Sequence, residues 1–287
     1  MLKGNMLHNH YDYIIAGTGC AGLSLVMHMM QQKPLQQKKI LLVDKAEKIH
    51  NDRTWCFWEK GKGFFDNIVH RQWEELLFSS DTFSGTLSIA PYRYKMIRGL
   101  DFYRYCLEAL KKHPSITVYQ GNVSRLFSNE KTGIIVDGKE ITADYVFSSI
   151  LPAKPALQKK DVWLLQHFKG WLVETEKPVF DAKKATLMDF RISQKKGTAF
   201  CYVLPYSSCE ALVEYTLFTS SLLQPEEYDA ELKTYISEFL KIGTYTIRET
   251  EFGVIPMTNH RFRRQHNNII NIGTAGGQTK GSSGSTF

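Results

Sequence analysis

The chain has 287 residues, of which 43% are hydrophobic, and this is enough to bury the core of a globular enzyme. Its 36 basic and 29 acidic residues give a formal net charge of +7 that is scattered along the chain, and no block of Lys and Arg interleaved with aromatic residues points to nucleic acid. The five cysteines form no Cys-x-x-Cys pair and the histidines have no ligand spacing, which argues against a metal site or a disulfide framework and indicates a reducing compartment.

The start of the chain follows the pattern of a β-α-β unit. Residues 13–16 form a short apolar run, residues 20–32 have the content of a buried helix, and residues 39–44 form a second apolar run. A buried strand, a helix and a second buried strand open the doubly wound folds that bind nucleotides.

A dinucleotide-binding pattern, Gly-x-Gly-x-x-Gly, spans residues 17–22 between the first strand and the helix. Gly17 permits a tight turn, Gly19 lets the backbone approach a pyrophosphate, and Gly22 lets the helix and strand pack closely. The helix N-terminus offers unpaired N–H groups to the phosphates. Asp44, at the end of the second strand, is placed to bind ribose hydroxyls. The pattern alone does not separate FAD from NAD.

The middle of the chain changes character. Aromatic residues are frequent between residues 50 and 91, where the sequence predicts no regular element. A helix is predicted over residues 101–112, and strands over residues 116–120, 133–137 and 145–149. Asp137-Gly138, between two such strands, is a hairpin signal.

The second half of the chain predicts an antiparallel sheet. Its strand candidates are residues 169–176, 185–192, 199–205 and 210–218, with a turn at residues 207–209. A helix over residues 226–241 follows, and then a short strand over residues 268–272.

A second glycine-rich loop follows that last strand, over residues 273–284. FAD enzymes of the two-domain hydroxylase kind use a late loop of this sort against the flavin, so it favours FAD over NAD; the alternative is a flexible linker. The chain stops at Phe287 inside this glycine- and serine-rich sequence, which predicts that a natural C-terminal part is missing.

Five segments in this order resemble the flavin-dependent lycopene β-cyclases of bacteria and plants: residues 17–22, 52–58, 212–216, 249–256 and 273–277. The resemblance runs along nearly the whole chain. It implies an α/β fold in which an FAD/NAD(P)-binding Rossmann-like domain is interleaved with an antiparallel-sheet substrate domain, as in two-domain flavoprotein hydroxylases. It also implies a largely helical C-terminal part beyond the late loop.

The resemblance implies an isomerase reaction without net redox change. Such enzymes need reduced FAD, usually with NADPH as the source of electrons. The acyclic ψ-end of lycopene, or of a related acyclic carotenoid, is protonated at its terminal double bond, closes as a carbocation and loses a ring proton. Two rounds give γ-carotene and then β-carotene.

The resemblance also assigns roles to residues. Glu214 matches the proposed catalytic acid of the family, and Glu249 and Glu251 match a second acidic segment, of which one residue either supports Glu214 or takes the departing proton. An apolar surrounding would raise the pKa of Glu214 and keep it protonated, as a general acid requires. Further residues are expected in two groups: Arg53, Gly273, Ala275 and Gly276 at the flavin, and Trp55, Phe57 and Trp58 along the polyene, where aromatic faces stabilise carbocations.

The expected FAD-binding domain comprises residues 1–48, 98–150 and 256–287, and the substrate domain residues 49–97 and 151–255, with the polyene between them. No signal peptide or spanning helix is predicted. Because the substrate lives in lipid, we expect a cytoplasmic protein attached peripherally to the membrane surface; the mild positive charge fits either such attachment or an ordinary solvated surface.

Two other functions stay open at this point. The first is a flavin-dependent oxidoreductase, such as a hydroxylase or a prenyl reductase, acting on an isoprenoid or aromatic substrate. The second is an inactive flavin-binding remnant. A buried acid at Glu214 distinguishes the cyclase, because a hydroxylase has no use for one there.

Overall fold

The computed structural model describes residues 7–151, 154 and 156–280. The chain divides into two compact units built from separated stretches. Unit 1 comprises Met1–Asn51, Gly99–Lys160 and His260–Phe287, and unit 2 comprises Asp52–Arg98 and Asp161–Asn259. The predicted α/β fold with an interleaved antiparallel-sheet unit is confirmed.

Strands predominate among the described residues. In chain order they are β1 (His10–Ala16), β2 (Ile40–Asp44), β3 (Thr54–Glu59), β4 (Arg71–Trp73), β5 (Glu75–Ser79), β6 (Ser84–Ser88), β7 (Arg93–Arg98), β8 (Ile116–Gln120), β9 (Val123–Ser128), β10 (Thr132–Val136), β11 (Lys139–Ser148), β12 (Trp163–Glu174), β13 (Lys184–Asp189), β14 (Thr198–Pro205), β15 (Glu210–Thr219), β16 (Thr246–Thr258), β17 (Gln265–His266) and β18 (Ile269–Asn271). The α-helices are α1 (Cys20–Met29), α2 (Gly99–Leu110) and α3 (Pro225–Thr234), and short 3-10 or π turns cover Lys33–Leu35, Asp66–Ile68, Tyr235–Phe239 and Gly273–Gly276.

The sheet of unit 1 has a parallel centre in the order β18-β11-β1-β2-β8. The end of β1 (residues 13–16) and most of β2 are apolar runs, and Ile14, Ile15, Leu41 and Leu42 are fully buried. Burial on both faces is typical of parallel sheets whose crossovers are helices. The predicted β-α-β opening is confirmed.

The hairpin between β10 and β11 turns at Asp137 and Gly138, whose φ angles are +46° and +77°. Two successive positive φ angles characterise the type I′ turn, whose twist matches that of paired strands. The hairpin predicted from this dipeptide is confirmed.

Unit 2 is built on a seven-stranded sheet in the order β16-β12-β15-β14-β13-β5-β6. One face of β15 carries Val213, Tyr215 and Leu217, which pack with residues of α3 and the turn after it. On the other face, Leu212 packs with Trp73 and other residues of the three-stranded sheet β3-β7-β4. Alternate residues of β15 therefore enter two different buried layers, and Glu214 belongs to the second.

Two predictions need correction. Residues 52–98 form five strands where no element was predicted, because their aromatic residues fall on both faces and hide the two-residue alternation of a strand. The helix predicted over residues 226–241 is α-helical only to Thr234 and continues as a π turn. No described helix is both long and apolar enough to cross a membrane.

Candidate active site

The fingerprint loop, residues 17–22, leaves β1 and enters α1 in unit 1. Gly17 has a φ of +97°, and a Cβ there would overlap the hydroxyl of Ser149. A Cβ on Gly22 would overlap the carbonyl oxygen of Gly17 and lie 3.1 Å from Ile15 Cγ2. Both positions therefore require glycine for the turn and for the approach of helix to strand.

Gly19 differs from these two glycines, because a Cβ on it would meet no described protein atom within 4 Å. It precedes α1, and no side chain caps the N-terminus of that helix. Unpaired N–H groups beside open space are what the diphosphate of a dinucleotide requires. The loop therefore fits such a group.

Asp44 ties the fingerprint loop to the end of β2. Its Oδ2 accepts hydrogen bonds from the Thr18 backbone N–H at 2.7 Å and from the Thr18 hydroxyl at 3.1 Å, and its Oδ1 accepts one from the Ala46 N–H at 2.9 Å. Burial opposes ionisation, but the Ala46 bond and the Lys48 charge outweigh it and lower the pKa of Asp44. Asp44 is thus an ionised acceptor, and its contact with a ribose stays a prediction.

The late glycine loop, residues 273–277, lies against the fingerprint loop in the folded chain. A Cβ on Gly273, whose φ is +59°, would lie 2.9 Å from Ala21 Cβ in the first turn of α1. Ala275 and Gly276 are buried in the same turn. The structure thus brings together two glycine-rich segments that are far apart in sequence. The predicted loop residues 281–284 lie outside the described residues.

Glu214 lies at the centre of a row of four residues in unit 2, which we call the acid row. Tyr202 on β14 pairs with Glu214, Glu214 pairs with Gly170 on β12, and Gly170 pairs with Glu251 on β16. Residues directly opposite each other in antiparallel strands point to the same face. The two carboxyl groups therefore share one face of the sheet, with a glycine between them.

The surroundings of Glu214 favour its protonated form. Burial, and then the charge of Glu251, raise the pKa of the Glu214 carboxyl to about 8, although the Thr216 hydroxyl donates a bond of 2.8 Å to it and opposes the shift. Glu214 is mostly buried but keeps a partly exposed surface. A carboxyl that keeps its proton at neutral pH can serve as a proton donor.

Glu251 is held differently. It is 8% exposed, and its Oε1 and Oε2 accept hydrogen bonds from the Thr54 backbone N–H at 2.9 Å and the Thr54 hydroxyl at 2.7 Å. Burial raises the pKa of Glu251, while the two Thr54 bonds and the Arg53 charge oppose that rise. Glu249, two residues earlier on β16, is exposed.

Aromatic and thiol groups that the sequence did not single out surround Glu214. Burial raises the pKa values of Tyr94, Tyr202 and Cys56, and the charge of Glu214 contributes to all three shifts. Cys56 and Tyr94 also share a side-chain hydrogen bond. All three groups are therefore neutral at neutral pH, and the acid has an uncharged surrounding on this side.

The remaining predicted residues take separate places. Arg53 is exposed, and its Nη1 donates to the carbonyl oxygens of Asp52 at 2.8 Å and Phe252 at 3.2 Å. Along β3, Trp55 and Phe57 alternate with Trp58, so the three rings do not share one face. Trp58 is 46% exposed, with its ring 5.1 Å from that of Tyr94.

No group of three or more His, Cys, Asp or Glu side chains within the described part of the chain is arranged to hold a metal ion. The chemistry that this site offers comes from carboxyl groups in an apolar surrounding.

Comparison with known proteins adds an independent result. The family model for lycopene cyclase proteins matches residues 12–287. The lycopene beta-cyclase of Pantoea ananas is 24% identical over 262 residues, which cover 87% of this chain and 63% of that protein. The chain thus spans less than two thirds of that relative.

Two solved structures show the fold. A geranylgeranyl bacteriochlorophyll reductase-like protein from Thermoplasma acidophilum has a TM-score of 0.68 at 12% identity, covering 97% of this chain and 74% of that one. CtdE, solved in complex with FAD and a substrate, has a TM-score of 0.63 at 14% identity, covering 93% and 74%. The predicted two-domain flavoprotein fold is confirmed.

Proposed function

Because the chain belongs to the lycopene cyclase family, we propose that it closes the ψ-ends of lycopene, or of a related acyclic carotenoid, into β-ionone rings. The products are γ-carotene and then β-carotene, and the reaction is an isomerisation without net redox change. The observation that carries the proposal is the carboxyl of Glu214, which has a pKa of about 8 in the buried layer between two sheets of unit 2.

Glu214 is the proposed acid. Its proton adds to the terminal double bond of the ψ-end, which leaves a tertiary carbocation and a Glu214 carboxylate. The uncharged side chains of Cys56, Tyr94 and Tyr202 suit an apolar end group, and the rings of Trp55, Phe57 and Trp58 are proposed to bind the polyene. The chain then closes on the cation, and a ring proton leaves.

FAD is the proposed cofactor, and the fingerprint loop supports it. Gly17, Gly19 and Gly22 would hold the diphosphate and Asp44 the ribose. Further proposed contacts are Gly273, Ala275, Gly276 and Arg53. Reduced FAD, with NADPH as its proposed electron donor, supplies an electron-rich flavin that undergoes no net redox change.

The proposed substrate lives in lipid, and we therefore propose a cytoplasmic protein that binds the membrane surface peripherally. Turnover of lycopene in the absence of lipid or detergent would contradict this attachment. Sedimentation with anionic vesicles, compared at low and high salt, measures it directly.

The test of the function is carotenoid analysis of a lycopene-accumulating bacterial host that expresses the protein. We expect γ- or β-carotene from the wild type and none from Glu214→Gln, which keeps the shape of the side chain but cannot donate the proton. Glu210→Gln, the same substitution on the same strand, is the matched control and retains activity. Unchanged lycopene from a well-expressed, FAD-loaded wild type would overturn the cyclase and favour a redox flavoenzyme.

A further inference from the structure

The two carboxyl-bearing residues of the acid row are separated by Gly170, beside which the Leu212 side chain lies. Glu214 and Glu251 each pair with Gly170, from opposite sides, so their Cα atoms are two strand spacings or roughly 10 Å apart. A Cβ on Gly170 would lie 3.6 Å from Glu214 Cβ and 3.1 Å from Leu212 Cδ1. Glycine thus keeps the strand between the two acids free of a side chain.

The two carboxyl groups differ in the number of hydrogen bonds that they accept. Both oxygens of Glu251 accept bonds from Thr54, and hydrogen bonds donated to a carboxylate favour its ionised form. Glu214 accepts one bond, from Thr216, and lies among neutral groups. Burial raises the pKa of Glu251 too, but the Thr54 bonds oppose that rise, so Glu251 is the member of the pair better suited to carry the charge.

We infer that Glu251 is the base that removes the ring proton and that Glu214, on the same face of the sheet, is the acid that starts the reaction. This inference rests on the proposed function. It separates Glu251, which accepts both Thr54 bonds, from Glu249, which is exposed on the same strand.

The steps balance. The proton of the Glu214 carboxyl forms a C–H bond at the terminal double bond, and the positive charge moves to a ring carbon when the new C–C bond closes. A neighbouring C–H bond then breaks, its electron pair forms the ring double bond, and the proton goes to the Glu251 carboxylate. One proton has passed from Glu214 to Glu251. Before the next ring closes, Glu214, which is partly exposed, regains a proton from solvent and Glu251 releases one to it.

The other ionisable groups near the pair do not compete for these roles. Cys56, Tyr94 and Tyr202 beside Glu214 are held neutral by burial. Burial also raises the pKa of Tyr206, which lies within the electrostatic reach of Glu251. Besides these, Arg53 and Asp52 act on Glu251 with opposite charges.

Deuterium exchange tests the inference with the full protein, lycopene in detergent, and D₂O as solvent. Wild-type protein incorporates deuterium into each closed ring. In Glu251→Gln, ring formation falls by about 100-fold, but Glu214 still protonates the substrate reversibly, so deuterium enters the recovered lycopene. Glu214→Gln forms no ring and leaves the lycopene unlabelled.

Two outcomes for Glu251→Gln overturn the inference: ring formation at the wild-type rate, or loss of rings without label in the lycopene, which would mean that Glu251 only supports Glu214. If the wild type forms no ring, the proposed function fails, and the inference with it. Glu210→Gln serves again as the control for the substitution itself.

Thr54→Val provides a second variant that keeps both acids. It removes one donor to the Glu251 carboxylate, so the acidic limb of the pH–rate profile moves to higher pH while the alkaline limb, set by Glu214, stays in place. A shift of both limbs together, or of neither, contradicts the assignment of Glu251.

Discussion

The hydroxyl of Thr216 donates a hydrogen bond of 2.8 Å to Oε1 of Glu214, two residues earlier on the same face of β15. Thr216 is fully buried, so the donor hydroxyl is shielded from water. It stabilises the charged form of Glu214 and works against the burial that keeps the acid protonated. The pair therefore sets how acidic the proposed proton donor is.

Thr216→Val should make Glu214 a weaker acid. Loss of a bond to the charged form raises the pKa of Glu214 further, by about one unit. We expect the alkaline limb of the pH–rate profile for ring closure to move upward. Thr216→Ser keeps the hydroxyl and leaves the limb in place; an equal shift in both variants would point to packing as the cause.

The raised pKa of Glu214 links folding to pH. Its folded-state pKa is about 8, against an ordinary value of 4.5, so between these values the native protein binds a proton that the unfolded chain has released. Stability must fall as pH rises through this window, by up to about 1.4 kcal/mol per pH unit. Urea denaturation should show this fall in the wild type and its loss in Glu214→Gln. A difference in unfolding free energy between the two that does not change with pH contradicts the prediction.

The fingerprint loop offers a matched pair of glycine variants. Gly19→Val should fold normally, because the new side chain meets no described protein atom at its Cβ, but it occupies the space proposed for a diphosphate and lowers FAD content by at least about tenfold. Gly22→Val should lose stability as well, because its Cβ overlaps the Gly17 carbonyl. Flavin absorbance per protein and thermal unfolding measure both effects. Wild-type flavin content in Gly19→Val would argue against this loop as the site.

Lys95 is a buried cation whose loss should weaken unit 2. It is 1% exposed, and its Nζ donates to Glu59 at 2.8 Å, to Asp66 at 2.6 Å and to the carbonyl oxygen of Gly61 at 2.6 Å. Lys95→Met leaves two carboxylates without their cation and should cost about 3 kcal/mol in unfolding free energy. Chemical denaturation measures the loss, which the triple variant with Glu59→Gln and Asp66→Asn should partly restore. If the triple variant is no more stable than Lys95→Met, the unpaired carboxylates are not the cause of the loss.

Local patterns in the sequence predicted much of this fold. Three features each depend on a few consecutive residues, and the structure confirms their local conformation: the strand-to-helix turn at residues 17–22, the buried strands β1 and β2, and the turn at Asp137-Gly138. The alternation along β15 likewise placed Glu214 on one face with Leu212 and Thr216. Whether that face was buried depended on the three-stranded sheet β3-β7-β4, whose strands the sequence did not predict.

The partners within the candidate site could not be read from local patterns. The bond from Thr54 to Glu251 joins residues 197 positions apart, and the place of Gly170 between two acids depends on the register of three strands. Strand register is a property of the folded sheet. A glycine within a predicted strand therefore does not reveal which residues lie opposite it on the adjacent strands. Assignment of the catalytic and flavin-binding residues remains a prediction.

The nesting of chain segments bears on how the protein is synthesised. Unit 2 gains its edge strand β16 only when residues 246–258 have emerged from the ribosome, and the sheet of unit 1 gains β18 later still, although its partner β11 was made long before. Each unit must wait, partly built, while stretches of the other are translated. Contacts of such long sequence separation slow folding and prolong the exposure of unpaired strand edges. No single cut of the chain yields either unit whole.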